Sequence, residues 1–266
     1  MKIYVLTDME GIGGVLNRSH VFTDQPYYEK AREWLTADVN AAVQGAIEGG
    51  ATEILVADGH GANNATNLIY EKLHEGATYI QGSPWEEYLQ SMDSSFDGFF
   101  HVGAHAMSGT KGAILEHTMN SREWVEMRIN GEPMGEIGLY AACAGQFEVP
   151  FVMVSGDDKA CKESQELVPD VECAVVKYGI TRHCARVLPM PLVHARIREK
   201  AKAAVQKTKS VKPFKVTTPV EIEIDYFRTE KADAIRDREG VNKLNARTVR
   251  YTADSITQAF RRVLGG

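Results

Sequence analysis

Short apolar runs separated by longer stretches of helical period constrain this chain more than any other feature. The runs are Ile3 to Thr7, Glu53 to Ala57, Thr78 to Gln81, Gly98 to Gly103 and Phe151 to Ser155. Such alternation is the signature of an α/β fold, a mostly parallel central sheet with helices on both faces. The first helix is expected from Tyr27 to about Glu48, entered through Asp24-Gln25-Pro26 and stopped by Gly49-Gly50. Trp124 to Glu132 reads as a strand and a turn, with Asn130-Gly131 a hairpin signal, and leads to a helix from about Gly135 to Gln146. Val171 to Tyr178 adds one more strand.

The texture changes at Pro189-Met190-Pro191. A charged amphipathic helix from about Val193 to Lys207 precedes V-E-I-E-I-D, Val220 to Asp225, which alternates strictly. One face of that strand is acidic, so its sheet is expected to have a solvated side. A second helix, a strand from Thr248 to Tyr251 and a helix from Asp254 to Leu264 follow. The chain thus divides on sequence into a larger α/β domain, 1–189, and a smaller C-terminal α+β lobe, 190–266, suited to oligomerisation or to walling a pocket.

The polar residues at the strand ends carry the chemistry. Asp8 and Glu10 follow the first strand in T-D-M-E-G-I-G-G, Asp58 and His60 follow the second, and His105 follows the fourth, with His101 inside it. In an open α/β sheet the ligand lies beyond the carboxyl ends of the strands. Three strands therefore deliver carboxylates and imidazoles to one rim, each beside a glycine that permits close approach. Two acids at the mouth of a glycine loop repel a phosphate and attract a cation. The donor mix suits zinc, with manganese or cobalt possible. A lone strand-end aspartate is more often a helix cap, and a lone histidine more often a hydrogen-bonded structural residue. It is their coincidence at three strand ends that points to a metal.

Bulk properties exclude several classes. A net charge of −6 with no basic stripe argues against a nucleic-acid partner. No apolar stretch reaches the ~20 residues of a membrane span. The N-terminal residues do not read as a signal peptide, and four cysteines without a C-x-x-C pair do not read as a disulfide framework. A cytoplasmic protein is expected.

Five strings in order, D-M-E-G-I at 8–12, D-G-H at 58–60, G-A-H-A at 103–106, E-H-T-M at 116–119 and G-E-I-G-L at 135–139, resemble the D-aminopeptidase family, metallopeptidase family M55, typified by the bacterial dipeptide-operon enzyme. V-M-V-S-G-D-D at 152–158 extends the match over most of the chain. The resemblance implies two zinc ions per chain. Asp8 would bridge them, Glu10 and His60 would complete one site, His105 and Glu136 the other, and His117 would be the catalytic residue. It further implies a zinc-dependent aminopeptidase that removes N-terminal residues from short peptides, D-amino-acid peptides such as D-Ala-D-Ala, by a water activated between the metals. A homo-oligomer, a ring or compartment of subunits, is implied as well. On residues alone Glu136 could equally be a first-turn glutamate stabilised by the helix dipole.

Other readings stay open at this stage: another binuclear-metal amidase, an L-aminopeptidase, a phosphoesterase, or a non-catalytic metal-binding protein. No Arg/Lys clamp is evident near the motifs, which disfavours phosphate substrates. Several tempting residues are discounted as site residues: Asp157 fits a helix cap, Asp58 could serve only as an acceptor orienting a ligand histidine, and Asn63, Asn64 and Trp85 are set aside as lining, tryptophan being more often core.

Overall fold

The computed structural model describes residues 1–84 and 89–265, so Trp85 lies outside the described residues. In chain order the first half holds β1 (Lys2–Thr7), α1 (Tyr28–Glu48), β2 (Glu53–Asp58), β3 (Thr78–Ile80), β4 (Gly98–Ala104), β5 (Trp124–Ile129), β6 (Glu132–Pro133) and α2 (Glu136–Gln146). Next come β7 (Phe151–Asp157), α3 (Asp158–Leu167), β8 (Glu172–Thr181), β9 (Cys184–Val187) and α4 (Met190–Lys207). The chain ends with β10 (Val220–Tyr226), α5 (Thr229–Asp233), β11 (Val241–Lys243), β12 (Thr248–Ala253) and α6 (Ile256–Val263).

Seven strands form the larger sheet in the order β3-β2-β1-β4-β7-β8-β9, all parallel except β9, which runs against β8. Every residue of β4 and β7 is buried, as a parallel strand covered on both faces requires. From β1 the chain passes through α1 to β2 on one side, while β4, β7 and β8 extend the sheet on the other. Right-handed crossovers taken in opposite directions put their helices on opposite faces. Accordingly α1 packs with α4, and α2 packs with α3. The strand order reverses at β1 and β4, and the crevice beyond their carboxyl ends is where such a sheet binds its ligand.

Five strands form the smaller, antiparallel sheet, β11-β12-β10-β5-β6. In β10 the residues alternate between buried and half-buried, so its acidic face does meet solvent. Arg128 and Arg250 lie along that face and pair with Glu223 at 3.1 and 2.7 Å, offsetting repulsion between the acids. Asn130 and Gly131 take positive φ, +52° and +87°, as a two-residue hairpin between β5 and β6 demands.

The two sheets do not divide the chain at residue 190. β5 and β6 lie before it yet belong to the smaller sheet, where Ile129 pairs with Ile222. The helix α4 lies after it yet packs on α1 of the larger layer. Local texture registers the antiparallel strands but not their distant partners, so the C-terminal segment is no self-contained lobe.

Candidate metal centre

Asp8 continues the β1 ladder, its N–H donating to the Val102 carbonyl at 2.8 Å, and the chain then folds across the end of β4. That crossing is very close. A Cβ on Gly11 would sit 2.0 Å from the Ala104 carbonyl oxygen, and one on Gly103, whose φ is +82°, would sit 2.0 Å from the Asp8 carbonyl oxygen. The two glycines let the segment bearing Asp8 and Glu10 lie against the segment bearing His105.

All five expected ligands and His117 come together there. Asp8 Oδ1 is 3.0 Å from His60 Nδ1, and Asp8 Oδ2 is 3.3 Å from His105 Nε2. Glu10 Oε2 is 3.2 Å from His60 Nδ1, and Glu136 Oε1 is 3.2 Å from His105 Nε2. His117 Nε2 lies 3.7 Å from Glu136 Oε1, and its ring stacks on His105 with centroids 4.1 Å apart. Donor atoms gather in two groups, Asp8-Glu10-His60 and His105-His117-Glu136, each within 4.8 Å. The second group includes His117, which the resemblance sets apart from the ligands.

The donor chemistry fits a pair of divalent cations. Glu10 Oε2 and His105 Nε2 are buried with no hydrogen-bond partner, an arrangement that a cation between them and their neighbours would satisfy. His60 ties Nε2 to the Val21 carbonyl at 2.8 Å, which leaves Nδ1 facing the carboxylates. His105 ties Nδ1 to the Ala106 carbonyl at 3.0 Å, which leaves Nε2. Pinning one ring nitrogen to a carbonyl fixes the tautomer a metal ligand needs.

Burial together with the Glu10 charge pushes the Asp8 carboxyl up to about 7. Burial opposes charge on His60 and His105, yet the facing carboxylates, Glu10 and Glu136 foremost, hold both rings well above the ordinary histidine value. Glu136 resists its own burial and is held down at about 2 by His105. The cluster thus draws protons into positions that a divalent cation would take over. Burial and the adjacent His105 lower His117, so it stays neutral at pH 7.

The site opens into a cavity of about 580 Å³, lined by Asp8, Glu10, His60, His117 and Glu136 among others. His117 sits on a loop bracketed by Leu115 and Met119, both at left-handed φ, +52° and +56°. Non-glycine residues held in that conformation are strained and cluster at functional sites.

The discounted residues have structural roles. Asp58 makes no hydrogen bond to a histidine ring. It accepts hydrogen bonds from the N–H groups of Asn67 and Leu68 and from Asn67 Nδ2, and Asn67 Nδ2 in turn donates to the His60 carbonyl. Gly61 and Ala62, not Asn63 or Asn64, line the cavity. Arginines are present after all: Arg18, shortly beyond D-M-E-G-I, and Arg122, shortly beyond E-H-T-M, line the cavity together with Arg182 from a third segment. Asp157 does cap α3, accepting from the N–H groups of Lys159 and Ala160 at 3.0 and 2.8 Å.

Two supporting residues escape the sequence. Tyr140, one turn along α2 from Glu136, donates its hydroxyl to Glu136 Oε2 at 3.3 Å, and the i, i+4 spacing could have revealed it. Lys177 of β8 is wholly buried and donates to the carbonyls of Glu10, Ile12 and Val15 at 2.6, 2.9 and 2.6 Å. A lysine in a strand reads as a solvent-facing residue, and nothing local marks this one.

Among the described residues no helix is long and apolar enough to cross a membrane. Comparison with known proteins gives a consistent result. Peptidase family M55, D-aminopeptidase, matches residues 1–264. The D-aminopeptidase of Bacillus subtilis (strain 168) is 34% identical over 269 residues, covering 99% of this chain and 96% of the relative. The solved structure of DppA, a Zn-dependent D-aminopeptidase from Bacillus subtilis and a self-compartmentalizing protease, superposes with a TM-score of 0.93 at 32% identity, over 100% of this chain and 96% of that one. With its strand-end donors and topology in agreement, this chain belongs to the D-aminopeptidase family of peptidases, M55.

Proposed function

We propose that this protein is a zinc-dependent D-aminopeptidase that removes the N-terminal residue of short D-amino-acid peptides such as D-Ala-D-Ala. The observation that carries the reading is the sharing of Asp8 between two donor groups that face one cavity, Oδ1 toward His60 and Oδ2 toward His105. Asp8, Glu10 and His60 would hold one zinc, and Asp8, His105 and Glu136 the other. Bound there, the pair would supply Lewis acidity toward the scissile carbonyl and a lowered pKa for the attacking water.

The remaining work falls to the chain's own groups. His117 donates Nδ1–H to the Leu115 carbonyl at 2.9 Å, so Nε2 carries the lone pair that faces the cavity. Neutral at pH 7, that atom accepts a proton from the attacking water and passes it to the departing amine. Glu136 steadies His105 and is itself held by the Met119 N–H at 2.7 Å and by Tyr140. By likeness to the self-compartmentalizing relative, the subunits assemble into a homo-oligomer that encloses the sites.

The test is a paired assay on D-Ala-D-Ala and L-Ala-L-Ala before and after chelation, with restoration by zinc. Cleavage of the D-peptide that chelation abolishes and zinc restores is expected. Equal turnover of both enantiomers, or turnover indifferent to chelation, contradicts the reading.

A further inference from the structure

We propose that Arg18 and Arg122, which flank Phe22 from two different loops, bind the C-terminal carboxylate of the peptide and so confine the enzyme to very short substrates with a free C-terminus. The inference rests on the aminopeptidase reading above and names the subsite that selects for chain length.

All three residues line the cavity that also holds the donor groups. Arg18 begins a 3-10 turn, Arg18–His20, after β1, where Asn17 caps the turn by accepting the Ser19 N–H at 3.0 Å. Arg122 comes from the loop ahead of β5, where Asn120 accepts the Arg122 N–H at 3.1 Å. Their guanidinium carbons lie 4.4 and 5.7 Å from the centroid of the Phe22 ring. Stacking on an aromatic face orients a guanidinium while leaving its N–H fork free to meet an anion.

Neither guanidinium has a carboxylate partner among the described residues. That is unexpected where acids outnumber lysine and arginine by 36 to 30. Arg182, the third arginine of the cavity, is already engaged by the Glu116 carboxylate and backbone. Two guanidiniums gathered at one ring without a countercharge favour an anion beside them. A carboxylate, which can take two parallel N–H bonds from an arginine fork, is the group best matched to that place.

Asp8, Glu10 and Glu136 are committed to the donor groups, where the reacting carbonyl must lie, which leaves Arg18 and Arg122 as cations of the same cavity free to meet the far end of a peptide. A cavity of about 580 Å³ falls within the range of about 300–1,000 Å³ typical of small-molecule sites. It can enclose a peptide of a few residues with both termini inside, whereas a long chain would carry its carboxylate away from the arginines.

The experiment measures kcat and KM of the zinc-loaded enzyme on D-Ala-D-Ala and on its C-terminal amide, for the wild type, Arg18→Gln, Arg122→Gln and the double variant. The wild type should prefer the acid by about 10- to 100-fold in kcat/KM, as expected for one charge-assisted carboxylate contact, mostly through KM. Each variant should shrink the acid-to-amide ratio, and the double variant should bring it close to 1. Equal use of acid and amide by the wild type overturns the proposal, as does an equal fall on both substrates in the variants. Cleavage of neither peptide by the wild type would count against the aminopeptidase reading itself. Calorimetric titration with the same two peptides would then decide the subsite separately, since equal affinities for acid and amide overturn it.

Discussion

His60 and His105 each tie one ring nitrogen to a backbone carbonyl and turn the other toward carboxylates, and His117, stacked on His105, does the same toward Glu136 Oε1. The two that face Asp8 differ from the third in charge. Carboxylates hold His60 and His105 above the usual histidine value, while burial and His105 lower His117. A neutral imidazole at the cavity edge suits proton transfer. His117→Ala should therefore lower kcat by about 10²–10⁴-fold while zinc content stays at the wild-type level, measured by steady-state kinetics beside metal analysis. Loss of zinc in that variant would instead make His117 a ligand, in keeping with its place in the second donor group. His101 offers a separate test. Burial in β4 pushes it down to about 3, with neither ring nitrogen partnered. Its neutral form is accommodated in the fold, so above the unfolded histidine value of about 6.5 it imposes no pH-dependent cost. Below that value the unfolded chain binds a proton that the folded one does not, and stability falls until pH reaches about 3. Denaturant midpoints measured at intervals from pH 4 to 8 should show His101→Phe gaining on the wild type by up to about 1.4 kcal/mol per pH unit below pH 6.5. Parallel curves would contradict this.

At the scale of elements, the sequence shows the strands of the larger sheet because a fully buried strand must be apolar along its length, and their ends because acids and glycines interrupt the runs. Asp8, Glu10, His60 and His105 are legible for that reason, each standing just past a strand that the pattern marks. Glu136 and His117 are legible only through resemblance, since a first-turn glutamate and a loop histidine carry no periodicity of their own. Lys177 is not legible at all, because its three acceptors lie in a loop more than a hundred and sixty residues earlier. It is nonetheless the residue that clamps the segment carrying Glu10. Lys177→Met would leave three inward carbonyls without their donor and should destabilise the fold by about 3 kcal/mol. Zinc affinity should fall by about 10- to 100-fold, the usual cost of removing a group that supports a metal ligand. Equilibrium dialysis with zinc, run where the variant is still folded by circular dichroism, checks this. Wild-type affinity in the folded variant would show that the loop holds its shape without the lysine.

For the whole molecule, the position of the site follows from topology. The sheet order reverses at β1 and β4, and the crevice this creates holds the donors from both strands. The smaller sheet is assembled from strands on both sides of residue 190, so its makeup depends on pairings such as Ile129 with Ile222 that no local window contains. The arginines of the cavity are hidden from the sequence for the same reason, since Arg18, Arg122 and Arg182 come from three separate segments. The central claim is that one carboxylate, Asp8, serves two metal ions. The most direct measurement is the number of zinc ions bound per chain by the purified protein and by Asp8→Asn after dialysis against zinc and removal of the excess. Two per wild-type chain, with both weakened together in Asp8→Asn, is the expected result. One zinc or none in the wild type, or loss of a single ion in the variant, would contradict the shared-ligand centre.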